Sequence, residues 1–484
     1  MDPDTILLYV ALVFGFYMAW NIGANDVGNS MGTSVGSRAL TLRQAVVLAA
    51  IANFAGAVLV GGKVTDTVRK GITDPMIYVD NPETLLYGML AALLAAGFWL
   101  QIATSFGWPV STTHSIIGAV VGFGVVAGGV DSIDWVKVAS IASSWVISPL
   151  LSGNVAFIAF SLIRKLILNA KDIMLATKRI VPIIFGLVVL VMSLVLLFKG
   201  LKHLNLDMTL EESVLISGLL GFGAWAVSGL FLHGVDFNRY KRKFVLNQQR
   251  AVDDNLMVSQ SLRKLLVYKD KNLGYASGSI HNRLDVLYEE MEQIADDIED
   301  NAYTEAKNQG REDYHFVERI FGYLQVLSAV FVAFAHGAND VANAIGPLAA
   351  VVSIIQTKQV LMQVGVPFWL LLLGGVGIAI GIGTLGWKVM ETIGKKITEI
   401  TPSRGFAAEF SAATVIAIAS KMGIPISTTH TLVGAVIGVG MARGISSINL
   451  NVVRNIVVSW FVTVPAGAIF AIIFYYILKA IFGT

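Results

Sequence analysis

Cysteine is absent from the 484 residues of this chain, which excludes disulfides, thiol catalysis and cysteine metal sites. Charge is scarce: 14% of residues are charged, 35 basic residues nearly cancel 33 acidic ones, and the net charge is +2. That balance gives no polybasic character, so nucleic acid is not among the expected partners. The amino terminus, Met1-Asp2-Pro3-Asp4, lacks the basic region of a cleaved signal, so the first apolar segment is expected to stay. What is abundant is apolar: 55% hydrophobic residues and a mean hydropathy of +0.69 describe an integral membrane protein embedded in a lipid bilayer.

Apolar runs recur along the chain, and most are long enough to cross a bilayer as a helix of about 20 residues. Gly and Pro interrupt them at Gly23 to Gly28, Gly107 to Pro109, Gly337 to Pro347 and Gly423 to Pro425, so discontinuous helices are expected at four places. Between residues 237 and 318 the composition turns charge-rich, opening on Arg239-Tyr240-Lys241-Arg242-Lys243. There Leu284, Leu287, Met291, Ile294 and Ile298 alternate spacings of three and four, which predicts an amphipathic helix in a small bundle or coiled coil.

The chain is duplicated. Gly23-Ala24-Asn25-Asp26-Val27-Gly28-Asn29 returns as Gly337-Ala338-Asn339-Asp340-Val341-Ala342-Asn343, and Pro109-Val110-Ser111-Thr112-Thr113-His114 returns as Pro425-Ile426-Ser427-Thr428-Thr429-His430. Trp145 with Pro149 echoes Trp460 with Pro465. Short loops rich in Lys and Arg stay cytoplasmic, which places Arg38, Arg43, Arg164, Lys165, Lys178, Arg179 and the Arg239 to Lys243 cluster inside. The expected fold is therefore an all-α polytopic membrane protein of two inverted repeats, with broken helices and re-entrant hairpins. Residues 1–163 form the first repeat with a hairpin at 84–127, and 164–236 are connecting membrane helices. Residues 237–318 form a cytoplasmic helical insert, and 319–484 the second repeat with a hairpin at 405–441. Both termini are expected outside the cell membrane.

An ionisable side chain within a membrane segment costs several kcal/mol unless it lines a wet cavity or meets a cation. Asp26 and Asp340 are therefore the leading candidates, with Asn25, Asn29, Asn339 and Asn343 beside them. Carboxylate, amide and freed backbone oxygens suit a hard cation such as sodium. The hydroxyls of Ser111, Thr112, Thr113, Ser427, Thr428 and Thr429 stand at predicted helix N-termini, where they cap backbone amides and, with the positive helix end, offer a site for a small oxyanion. Carboxylates repel an oxyanion, so a bound cation, or a proton on the carboxylate, must stand between them.

Other polar residues rank lower. His114 and His430 could serve the anion or carry protons, or simply pack between helices. His336 faces Ile22 in the repeat and reads as packing, whereas Glu409 faces Leu93 and is an unpaired intramembrane acid. Asn53 and Gln101 could line a cavity or bond between helices; Ser105 matches Lys421, which is expected to snorkel.

The doubled Gly-Ala-Asn-Asp-Val motif, the doubled Pro-x-Ser-Thr-Thr-His turn and the polar insert resemble the inorganic phosphate transporter family, which includes the sodium-phosphate symporters known as retroviral receptors. The resemblance covers residues 5 to 235 and 319 to 480. It implies about twelve membrane elements and alternating-access import of inorganic phosphate on a sodium or proton gradient, with sodium the coupling ion at Asp26 and Asp340 and no cofactor. Asn25 and Asn339 would touch both ions, and Ser111 to Thr113 with Ser427 to Thr429 would hold phosphate. Glu409 matches a functionally important acid of animal members, and Asn53 stands where those members have another. A homodimer fits the same scheme. Proton-coupled phosphate or metal-phosphate symport is the nearest rival. A passive anion channel would lack concentrative uptake. An intramembrane hydrolase using Ser, His and Asp would need a nucleophile elbow, which is not expected, and neighbours in sequence do not make a nucleophile and base pair.

Overall fold

The computed structural model describes residues 2–61, 72–199, 209–235, 253–266, 279–307, 312–361, 364–421 and 426–483. The helices in chain order are α1 (Pro3–Gly36), α2 (Leu42–Val60), α3 (Pro82–Ser105), α4 (Thr112–Gly128), α5 (Trp135–Ile163), α6 (Ile173–Lys199), α7 (Leu210–Gly234), α8 (253–266), α9 (Ser279–Lys307) and α10 (Glu312–Thr357). They are followed by α11 (Phe368–Thr384), α12 (Trp387–Glu391), α13 (Pro402–Lys421), α14 (Thr428–Arg443) and α15 (Leu450–Phe482). Among the described residues there is no strand, only the isolated bridges Thr73 to Ile133 and Thr398 to Ile448.

Eight of these helices are long and apolar enough to cross a bilayer. A ninth span is α11 with Trp387–Lys396, bent by 57°. The shorter arms α4, α13 and α14 bring the membrane elements to twelve. The chain is thus an all-α polytopic membrane protein.

One of the four expected breaks is a turn among the described residues. At Gly107 to Pro109 the chain leaves the helix after Ser105, takes a left-handed step at Gly107 (φ +68°) and re-enters at Thr112. The corresponding Gly423 to Pro425 lies outside the described residues, between α13 and α14. At Gly23 to Gly28 and Gly337 to Pro347, by contrast, the expectation of discontinuous helices is corrected: α1 and α10 run straight through as helices of 34 and 46 residues. Their glycines are crossing points. A Cβ on Gly23 would stand 2.0 Å from the carbonyl oxygen of Ile378, and one on Gly337 2.0 Å from that of Asn53. The side chain is missing so that α1 can touch α11 and α10 can touch α2, backbone to backbone. Pro347 sits inside α10 and donates nothing to the carbonyl four residues back, so only at Asn343 is a helical carbonyl released near the motif.

Each hairpin opens toward a different end of the helix array. Leu85 and Met89 of α3 line one cavity with Ser353 and Ile354 near the end of α10, and Lys358 reaches Asp4 there at 2.5 Å. The start of α13 instead lies where α10 begins: Glu318 accepts from the Ser403 amide (2.8 Å) and hydroxyl (2.7 Å). The hairpins are inverted relative to each other, and each packs on the last helix of the other repeat, α14 on α5 and α4 on α15. The repetition extends to detail. Ser132 Oγ donates to Gly124 O (3.1 Å) and Ser447 Oγ to Gly440 O (2.9 Å); the Asp134 amide donates to Ile72 O and the Asn449 amide to Ile397 O, both at 2.9 Å.

Residues 170–179 and 229–317 form a separate compact unit. Within it α8 lies beside α9, joined by Ser259 Oγ to Ala295 O (3.1 Å) and by the Arg263–Asp296 ion pair (2.7 Å). The predicted stripe of α9 is only half covered: Leu284, Met291 and Ile298 are half-buried, whereas Leu287 and Ile294 are exposed. The Arg239 to Lys243 cluster lies outside the described residues.

Candidate functional site

The site grows from the polar face of α1. Asn21, Asn25, Asp26, Asn29, Ser30, Thr33, Ser34 and Ser37 recur at steps of three and four, so they share a face, and all are buried. Such a face is unaffordable against lipid and must find partners inside the protein.

Asn25 finds them in the first hairpin. Its Nδ2 donates to Thr104 Oγ1 (2.9 Å) and Trp108 O (3.0 Å), and its Oδ1 accepts from the Val110 amide (3.1 Å). Asn25, expected to touch both ions, clamps the α3–α4 turn in shape. Trp460 Nε1 holds the same turn from α15, donating to Pro109 O (3.1 Å).

One residue on, Asp26 meets the tip of α4: Thr112 Oγ1 donates to its Oδ2 (2.9 Å) and Asn29 Nδ2 to its Oδ1 (3.0 Å). Asn29 Nδ2 also reaches Thr429 Oγ1 at the tip of α14 (2.8 Å), and Thr429 in turn donates to Val110 O (3.2 Å). The second motif does the mirror image, with Asn343 Nδ2 donating to Thr113 Oγ1 (3.1 Å) and Thr112 Oγ1 (3.4 Å). Each motif's second asparagine therefore holds the hairpin of the opposite repeat. Asp340 is 5% exposed and close enough to Asp26 for its charge to act there. Asn339 on the same helix is half-buried. Among the described residues, none donates a hydrogen bond to Asn29 Oδ1.

Ser111 and Ser427 are N-caps, their hydroxyls accepting from the amides of His114 (3.2 Å) and His430 (3.3 Å). Each hydroxyl keeps its own O–H to donate, so the two tips present serine and threonine hydroxyls at positive helix ends. Thr113 and Thr428 are half-buried, while Thr112 and Thr429 are buried. The tips converge: the rings of His114 and His430 are 5.0 Å apart, edge to face, with His430 stacked on Trp460 at 3.8 Å and His114 5.2 Å from Trp145. The histidines thus lie in an aromatic wedge behind the tips.

Glu409 anchors a second cluster further along the α1 face. Thr33 and Ser34 donate to Oε1, Ser34 at 3.1 Å, and Ser328 Oγ donates to Oε2 at 2.7 Å. Ser37 donates to Gln325 beside it (2.7 Å). Thr33, Ser34, Gln325 and Ser328 were not singled out from sequence, although a buried acid at 409 demands donors and the α1 face supplies them at helical spacing. Residues Gly32 to Gly36 do have the Gly-x-Ser-x-Gly spacing, contrary to the expectation that no such elbow occurs. Ser34, however, sits within α1 and its hydroxyl is committed to Glu409, so it is no nucleophile elbow.

The remaining candidates stay apart. Ser105 is exposed and bonds within α3 to Gln101 O (2.8 Å). Gln101 accepts from Tyr17 and Asn53 bonds within α2 to Ala49 O (2.9 Å). His336 is buried, and the side chain of Lys421 lies outside the described residues.

Comparison with known proteins gives a consistent picture. The model of the phosphate transporter family matches residues 22–471. The chain is 43% identical over 481 residues to a protein of Arabidopsis thaliana named inorganic phosphate transporter 2-1, chloroplastic, covering 98% of this chain and 73% of that one. Among solved structures it is similar to one titled the sodium-dependent phosphate transporter, with a TM-score of 0.73, 38% identity, and coverage of 98% of this chain and 100% of the other.

Proposed function

Starting from the fact that this chain belongs to the phosphate transporter family, we propose that it is a secondary active symporter that imports inorganic phosphate by alternating access, coupled to sodium. The observation that carries the proposal is the crosswise bonding of α1 and α10 to the two hairpin tips. The Asp26 carboxylate and the amides of Asn29 and Asn343 lie directly against the two helix N-termini, with Asp340 buried beside Asp26, so a cation half and an anion half are in contact. Asp26 and Asp340 hold sodium, aided by Asn29, whose Oδ1 is open to a ligand, and by the Asn343 carbonyl that Pro347 releases. Thr112, Thr113, Thr428 and Thr429 with the first-turn amides hold phosphate. With the carboxylates bare, the anion is repelled; with cations in place, the pocket accepts it, and this is the coupling.

Sodium is favoured over a proton by the similarity to the sodium-dependent transporter structure. The chain is placed in the cell membrane with both termini outside, the insert in the cytoplasm, the repeats divided as the duplication divides them, and a homodimer as the working unit. Labelled phosphate uptake into proteoliposomes tests the coupling: an inward sodium gradient should drive concentrative uptake. Uptake driven by an acid-outside gradient without sodium would instead establish proton coupling, and uptake that never exceeds equilibrium would establish a channel.

A further inference from the structure

One group of cations is not used by the transport site. At the open end of the second hairpin, three guanidiniums from three helices gather in one patch. Arg443, closing α14, pairs with Glu399 at 2.6 Å; Arg404, in the first turn of α13, lies 3.8 Å from the same carboxylate and donates to the Glu399 carbonyl at 3.2 Å. Arg164, at the end of α5, donates to Ala442 O at 2.8 Å, next to Arg443. Arg404 is also 5.9 Å from the ring of Phe160, one turn before Arg164. Among the described residues Glu399 is the one carboxylate paired with any of the three, so a single negative charge faces three positive ones. Nε of Arg404, a side chain only 14% exposed, has no protein acceptor.

The fold does not require this patch. In the inverted repeat the same places are taken by Gly128 for Arg443, Gly88 for Arg404 and Lys479 for Arg164, so the opposite end carries one cation where this end carries three. The surface leading away from Arg164 is apolar and bare. Phe157 and Leu150 lie seven and fourteen residues before it on the same face of α5 and are 41% and 61% exposed. Cations at a helix end above an exposed apolar strip match a molecule with a phosphate head and a hydrocarbon tail.

We infer that Arg164, Arg404 and Arg443 bind the phosphate group of an anionic phospholipid whose acyl chain lies along Phe157 and Leu150. The head group competes with Glu399 for Arg443. Loop charge assigns this end to the cytoplasmic side, where anionic lipids are concentrated. The site is independent of the transport proposal.

Native mass spectrometry of the purified full chain, titrated with phosphatidylglycerol or phosphatidylcholine, tests the inference. Phosphatidylglycerol should bind more tightly, and Arg164→Gln and Arg443→Gln should each weaken it by about fivefold. Lys479→Gln should leave it unchanged. Glu399→Gln should tighten binding, an effect of opposite sign that misfolding cannot imitate. Equal binding of the two lipids, or arginine variants that bind as the parent does, would overturn the inference. So would displacement of the lipid by millimolar inorganic phosphate, which would make the patch a station for the free anion.

Discussion

The hairpins of residues 82–128 and 402–443 have the same tips and different arms. At the tips, Ser111 and Ser427 cap, Thr113 and Thr429 accept from an asparagine of the other repeat, and His114 and His430 stand ring to ring. Along the arms the likeness ends: Glu409 is buried where the first hairpin has Leu93, and Arg404 and Arg443 stand where it has Gly88 and Gly128. What both repeats keep belongs to a site on the axis between them. What one repeat alone has makes the two faces of the membrane unequal.

The strongest challenge to the equivalence of the tips is to neutralise each carboxylate in turn. Asp26→Asn and Asp340→Asn should each lower phosphate uptake by about a hundredfold or more, since each leaves a buried charged site half-paired. Uptake retained by either variant in proteoliposomes, with folding verified by gel filtration, would break the pairing. Glu409→Gln probes the asymmetry: it should lower uptake by about tenfold through its weakened bonds to Thr33, Ser34 and Ser328. Phosphate binding measured by calorimetry should be unchanged, because the tips are untouched; a lost binding signal would put Glu409 in the shared site. The crosswise bonds predict that Asn29→Ala and Asn343→Ala reduce uptake about equally, each by about fivefold, and a large disparity would show that one repeat dominates. Least severe are Ser111→Ala and Ser427→Ala, each expected to cost about 1 kcal/mol in denaturant unfolding through loss of a cap. A loss of uptake far beyond that would assign those hydroxyls to the anion.

Much of this was legible in the residues. The duplication, the inversion and the hairpins follow from spacing, and the cost of charge in lipid singles out the two motif aspartates, which the structure buries. The continuity of α1 and α10 was not, because glycine marks a break and a close crossing with the same letter. Only the position of Ile378 and Asn53 across the interface decides between them. The clamping role of Asn25 was hidden for a related reason. An amide beside a carboxylate looks like a ligand until the turn at Trp108 and Val110 is seen to consume it. The shell of Glu409 is assembled from α1, α10 and α13, three segments far apart in sequence, so no local pattern could name it.

The packing of each hairpin on the other repeat's last helix has a consequence for how such a chain can be divided. One repeat by itself would carry a hairpin whose Gly-rich second helix has nothing to meet and a final helix with a bare flank, since Gly118 and Gly122 touch Val464 and Ala468 while Gly434 and Gly438 touch Pro149 and Gly153. A half-length protein of this design could be completed only by a copy of itself lying upside down in the same bilayer. The covalent join through the insert removes the need for half the molecules to enter the membrane backwards.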